Sequence, residues 1–148
     1  MAKASYAVRA HSAAPATVVF DVVAAADRWN ERLPFRISRF EREGTPPPGG
    51  LGAIRCFGPG IGRPSREEVV LYEPPHRFSY TLLSGAIPLK RYRSDIVLTD
   101  DGTGGTDISW VGAGDSWMPG MGTLLTKMIG SFARKLAVEA ERRLASNG

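Results

Sequence analysis

From Met121 to Leu144 the apolar residues Met121, Leu125, Met128, Phe132, Leu136, Ala140 and Leu144 recur at steps of three and four. That spacing lays one stripe along a long helix. Upstream the period shortens. Ser5 to Ala10 alternates and reads as a first strand, and Pro15 then sits where a first helical turn tolerates it. Val18, Val19, Val22 and Val23 give the short helix that follows an apolar face. Asp27 is placed to cap a second short helix through Trp29 and Glu31, which Leu33-Pro34 closes. Phe35 to Glu43 is extended, and the proline- and glycine-rich stretch Thr45 to Gly50 is a loop. Beyond Leu51, turn signals at Gly58 to Gly62, Pro74-Pro75, Gly85 to Pro88 and Asp100 to Gly105 cut out five further strands joined as a meander. The expected class is α+β: a curved antiparallel sheet of about seven strands, two short helices after the first strand, and a long C-terminal helix.

Register follows from arithmetic, because directly opposed residues of an antiparallel pair share a face. With Pro74-Pro75 as a two-residue connection, Leu71 opposes Phe78, Val69 opposes Tyr80 and Glu67 opposes Leu82. Across the next turn Tyr80 opposes Tyr92 and Phe78 opposes Ser94. Beyond the glycine-rich turn Ile96 opposes Trp110 and Leu98 opposes Ile108. All of these fall on one face. The other collects Glu68, Arg77, Ser79, Thr81, Arg91, Arg93, Asp95, Asp107 and Ser109, as a sheet with one wet side requires. The helix stripe must then lie across the apolar face, and a curved sheet gripping it leaves room for a pocket.

At 148 residues the chain fits one domain. No apolar run approaches the ~20 residues of a membrane-spanning helix. Met1 to Tyr6 leads into a strand without the apolar segment of a signal peptide, and Ala2 excludes myristoylation, so a cytoplasmic location without stable membrane insertion is expected. Cys56 is the only cysteine, which excludes an internal disulfide and a cysteine-rich zinc site. The net charge of +4 is dispersed, unlike a nucleic-acid-binding surface, so no nucleic-acid partner is expected. His11 and His76 stand far apart at strand ends, and no metal site is expected of them. Gly58-x-Gly60 runs on to Arg63 and a strand, which rejects a dinucleotide fingerprint, and there is no G-x-S-x-G elbow. No cofactor is implied; a homodimer is compatible with the pattern.

Glu67 is the carboxylate of interest, turned inward beside Val69 and Leu71, where desolvation raises a carboxyl toward general-base work. With even register through Gly58 to Gly62, Arg55 also points inward, next to Ser65 and diagonal to Glu67; the plainer reading is an ion pair that satisfies itself. Tyr80 and Tyr92 offer phenolic donors to a ligand carbonyl, or else pack as large core residues. Ser94, Gly112 and Gly114 are small neighbours that make space. Val69, Phe78 and Trp110 on the sheet side, and Leu125, Met128, Ile129 and Phe132 on the helix, complete the candidate lining, with Trp29, Phe35, Met118 and Trp117, which leads into the helix, flanking its mouth.

Ala14-Pro15 at the first helix, Asp27-Arg28-Trp29 at the second, Glu73-Pro74-Pro75-His76-Arg77-Phe78 at a tight hairpin and Gly105-Thr106-Asp107-Ile108-Ser109-Trp110 in the last strand together resemble the START-like or Bet v 1-like superfamily. More narrowly the chain is similar to the bacterial polyketide cyclase/dehydrase-like branch, the SRPBCC proteins. The resemblance implies a helix-grip fold, a single ligand-binding domain over residues 1–148 and a cavity for a small hydrophobic molecule, whether lipid-like, aromatic or polyketide-like. Its motifs mark turns and packing rather than chemistry, and the superfamily spans carriers, receptors, cyclases and oxygenase domains, so membership selects no activity. A cyclase or dehydratase would use Glu67 as base, with Tyr80, Tyr92 and Arg55 orienting a carbonyl. The alternative is a non-catalytic interaction module with a filled core, docking a partner through Arg77, Arg91 and Arg93 or the long helix. A pocket of roughly several hundred Å³ favours the first reading and a filled core the second.

Overall fold

Alternation at the N-terminus carries further than Ser5 to Ala10. In the computed structural model, which describes Met1–Asn147, β1 runs Ala2–Ser12 and turns Ala4, Tyr6 and Val8 inward. Helix α1 (Ala16–Ala24) follows Pro15, whose carbonyl accepts the amides of Val18 and Val19. Asp27 does not cap what comes next. The segment is a 3₁₀ helix, Ala26–Glu31, entered from Ala25 without a side-chain cap, because Ala25 alone separates it from the end of α1. The meander then comprises β2 (Ile37–Arg42), β3 (Ile54–Gly58), β4 (Ser65–Glu73), β5 (Arg77–Ser84), β6 (Lys90–Asp100) and β7 (Thr106–Ser116). Helix α2 spans Met121–Asn147.

The seven strands form one antiparallel sheet in the order β1-β7-β6-β5-β4-β3-β2. Because β1 and β2 hold opposite edges, α1 and the 3₁₀ helix cross from one edge to the other. Helix α2 lies along β1 and also meets β7 and α1. Of its stripe, Met121, Leu125, Phe132, Leu136 and Ala140 are buried, Met128 is half-buried with Ile129 buried beside it, and Leu144 is exposed. Glu139 is buried on the same helix and holds the 3₁₀ segment to it, accepting from Arg32 Nε at 2.7 Å.

Most pairings follow the sequence arithmetic: Val69 opposes Tyr80, Glu67 opposes Leu82, Ile96 opposes Trp110 and Leu98 opposes Ile108. Two do not. A bulge between Val69 and Leu71 moves Leu71 opposite Ser79 and brings Tyr72 opposite Phe78. Between β5 and β6 the register slides by two residues, so Tyr80 opposes Ser94 and Phe78 opposes Ile96. The cause is the connection. The backbone bends at Ile87-Pro88-Leu89, where Leu89 N–H donates to the Ile87 carbonyl, so the hairpin centre falls one residue later than a tight turn at Ala86 would put it. A slip of two leaves every side chain on its face, so the inner wall is preserved. Arg55 lies directly opposite Glu67 rather than diagonal to it.

Candidate functional site

Between the inner face of the sheet, the 3₁₀ helix and the middle of α2 lies a cavity of about 80 Å³. Tyr80 and Leu82 of β5, Glu67 of β4, Tyr92 of β6 and Trp110 of β7 form its floor, and Leu125, Met128, Ile129 and Phe132 its helical roof. Ile87 and Leu89 of the β5–β6 connection close one side. It is smaller than the several hundred Å³ a ready-made pocket would need, because aromatic rings fill the far end. Trp29 stacks on Phe57 with centroids 4.8 Å apart, and Phe35 packs against Phe57 at 5.2 Å and Phe132 at 5.4 Å.

Glu67 brings charge to this apolar wall. Its Oε1 accepts from Arg55 Nη2 at 2.9 Å, and Arg55 Nη1 donates to the Val23 carbonyl at 3.1 Å. The guanidinium of Arg55 is fully buried, 4.7 Å from the ring centroid of Trp29, 4.9 Å from Tyr80, 5.0 Å from Phe78 and 5.3 Å from Phe57. Such rings offer their negative faces to a cation and replace part of the hydration it has lost. Arg55 Nε has no partner among the described residues. Arg55, expected to orient a ligand carbonyl, stands behind Glu67 and is not among the residues lining the cavity; the group it holds is the Glu67 carboxylate. The Glu67 side chain keeps 15% of its surface exposed, and its second oxygen makes no hydrogen bond among the described residues. Burial pushes the Glu67 carboxyl above its ordinary range, and the attraction and hydrogen bond of Arg55 offset this only in part.

The tyrosines divide by partner. Tyr6, Tyr92, Ser94 and Trp110 form a buried hydrogen-bonded chain: Tyr6 Oη bonds Tyr92 Oη, lies 2.8 Å from Ser94 Oγ, and Ser94 Oγ accepts from Trp110 Nε1 at 2.7 Å. Tyr80, 2% exposed, lies beside this chain, its phenol close to the hydroxyls of Ser94, Tyr6 and Tyr92. Burial raises the phenols of Tyr6, Tyr80 and Tyr92, so all three are neutral donors near neutral pH.

Of the residues anticipated from sequence, Glu67, Tyr80, Tyr92, Trp110, Leu125, Met128, Ile129 and Phe132 meet at the cavity. Val69 and Phe78 are buried in the core and Ser94 in the hydrogen-bonded chain, none of them at the cavity surface. Trp117 is misplaced: it is 68% exposed in the β7–α2 connection, away from the cavity. Nor do Gly112 and Gly114 make room for a ligand. A Cβ at Gly112 would come within 2.5 Å of the Tyr6 ring, and one at Gly114 within 3.1 Å of Tyr92 Cα, so the space they leave is filled by tyrosine and backbone. The readings that missed Tyr6 and Phe57 had a usable signal, since Tyr6 shares parity with Val8 and Phe57 with Arg55. Ile87 and Leu89 carry none, because a loop has no period. Among the described residues no cluster of His, Cys, Asp and Glu is arranged to hold a metal ion, and no helix is long and apolar enough to cross a membrane.

A family model described as polyketide cyclase / dehydrase and lipid transport matches residues 3–141. The chain belongs to that family. Its fold is one that binds hydrophobic ligands, within the superfamily that the turn motifs resemble. No curated protein matches the chain. Solved structures do. A protein from Thermobifida fusca is 24% identical over 93% of each chain with a TM-score of 0.71. Norcoclaurine synthase from Thalictrum flavum, solved as a point mutant with a transition-state analogue, is 16% identical over 96% of each chain, also at 0.71. Ara h 8.0201 is 14% identical over 95% of this chain and 99% of its own, at 0.72. At these identities the likeness establishes the helix-grip fold.

Proposed function

We propose that this protein binds a small, flat, mostly apolar molecule, of which a single aromatic ring is the best-fitting example, with one polar substituent set between Glu67 and Tyr80. The observation that carries the reading is a Glu67 carboxylate oxygen outside any hydrogen bond among the described residues, set with the Tyr80 phenol at the wall of an otherwise apolar cavity. A ligand that hydrogen-bonds these groups gains about 0.5–1.5 kcal/mol per bond, net of the water it displaces. Size narrows the class. The cavity of about 80 Å³ is roughly half the ~150 Å³ apolar cavity known to take up benzene, so entry requires Met128 or the Ile87–Leu89 segment to give way, and a long acyl chain would require far more. Norcoclaurine synthase, solved also with dopamine and hydroxybenzaldehyde, offers a precedent for single-ring guests on this fold.

The interaction-module alternative has less support. Of the outer arginines, Arg91 pairs with Asp115 at 2.6 Å, Arg93 with Asp95 at 3.1 Å and Arg77 with Glu73 at 3.9 Å, leaving little free charge for a partner. Native mass spectrometry of gently purified protein tests the binding reading. Retention of a small adduct of aromatic composition supports it; bare protein that also fails to take up added indole contradicts it.

A catalytic version is favoured by one observation, the placement of Glu67 at the cavity wall with one oxygen outside any hydrogen bond among the described residues, where burial raises its carboxyl in the direction that suits removal of a proton alpha to a carbonyl. In that version the proton passes to the free Glu67 oxygen while Tyr80 donates to the forming enolate. Glu67→Gln then abolishes turnover and retains ligand affinity; unchanged turnover removes Glu67 from the chemistry.

A further inference from the structure

Tyr6 was not among the residues that sequence reasoning singled out, yet it sits at the centre of the buried chain that ends at the cavity. Trp110 Nε1 can only donate, so the direction of that chain is constrained from its far end. Ser94 Oγ receives the indole hydrogen at 2.7 Å and must place its own hydrogen elsewhere. Two acceptors are in reach: Tyr6 Oη at 2.8 Å and the Val111 carbonyl at 3.4 Å. The first is an ordinary hydroxyl bond and the second is well beyond the optimum for one. With Ser94 donating to Tyr6, Tyr6 donates to Tyr92, and the Tyr92 hydroxyl keeps its hydrogen for the cavity side, where the Tyr80 phenol stands beside it. Tyr92 lines the cavity. Successive donors in a dry chain polarise one another, which strengthens the last.

We infer that the relay Trp110–Ser94–Tyr6–Tyr92 fixes Tyr92 as a hydrogen-bond donor into the cavity and so selects ligands bearing a carbonyl or other acceptor, with Tyr6 and Ser94 as positioning residues. This rests on the ligand-binding reading above and narrows it to a class: small aromatic carbonyl compounds. The reverse polarity, with Tyr92 donating to Tyr6 and Tyr6 to Ser94, would make Tyr92 an acceptor toward the cavity and would force the Ser94 hydrogen onto the 3.4 Å contact.

Acetophenone and its isostere α-methylstyrene separate these cases, since they share size and shape and differ in the acceptor. The wild-type protein should bind acetophenone more tightly by about 5- to 10-fold, the worth of one buried hydrogen bond. Its bound carbonyl stretch should lie below the value in hydrocarbon solvent. In Tyr6→Phe, which keeps the ring against Gly112, and in Ser94→Ala, the preference should fall several-fold and the stretch should rise, while α-methylstyrene affinity stays unchanged. Tyr92→Phe should cut the preference further than either, to what the Tyr80 phenol alone supplies. Equal wild-type affinity for the two probes, or a preference and stretch that neither Tyr6→Phe nor Ser94→Ala alters, overturns the relay and leaves cavity binding standing. Uptake of neither probe overturns the binding reading, and the relay with it.

Discussion

Arg55 and Glu67 behave as one unit, because neither is tenable in the wall alone. The guanidinium is fully buried among four aromatic rings and spends one N–H on Glu67 and another on the Val23 carbonyl. Removing one partner of a buried pair strands the other charge at a cost of about 3–5 kcal/mol, whereas replacing both with apolar groups of similar volume is close to neutral. Urea denaturation should therefore show Arg55→Met destabilised by about that much and the double variant Arg55→Met/Glu67→Leu recovering most of it. A double variant no more stable than the single would mean that the pair is not the source of the loss. The same carboxyl predicts a pH dependence. Its native-state value is raised, so the folded protein holds this proton more tightly than the unfolded chain does. Its contribution to stability is thus greatest below the ordinary glutamate value of 4.5 and is lost as pH rises from there through the native value. Glu67→Gln should flatten the stability curve across that window, as read from urea midpoints; an unchanged slope would assign the dependence elsewhere.

At the scale of strands and helices, β1 and β7 are fitted to each other by one absent side chain. Gly112 opposes Tyr6, and a methyl group there would sit 2.5 Å from the tyrosine ring. Gly112→Ala should lower stability by about 1–3 kcal/mol, the usual cost of overpacking, and should disturb the Tyr6–Tyr92 hydrogen bond. Thermal unfolding and the tyrosine near-ultraviolet signal would report both effects; an unperturbed melt would show that β1 moves aside without cost. This scale also explains what the sequence made legible. Face assignment depends only on parity, so Tyr80, Ile96, Trp110 and Ile108 could be turned inward from alternation alone. Exact partners depend on where a turn is centred, and nothing in Gly85-Ala86-Ile87-Pro88-Leu89 announces that the pairing centres on Ile87 rather than Ala86. The bulge after Val69 is equally silent, since Leu71 and Tyr72 are both apolar enough to face inward. Trp117 failed for another reason: size and hydrophobicity indicate burial on average, but its place in a connection is decided by tertiary geometry.

For the molecule as a whole, the sheet, the helix stripe and their antiparallel order were legible because long periodic segments permit one compact arrangement. The cavity was legible as a location and not as a volume, which depends on how Trp29, Phe35 and Phe57 stack across an irregular stretch of chain. That stacking leaves about 80 Å³ beside the second Glu67 oxygen and the Tyr80 phenol. The account stands on this space being a receptor for a small aromatic molecule. Methyl NMR of Leu125, Met128 and Ile129 during titration with acetophenone tests it most directly. Saturable shifts confined to these roof methyls and to neighbours such as Leu82 and Ile87 are the expected result. Signals that do not move, or that move without saturation and equally at the exposed Leu124 and Val138, would contradict it.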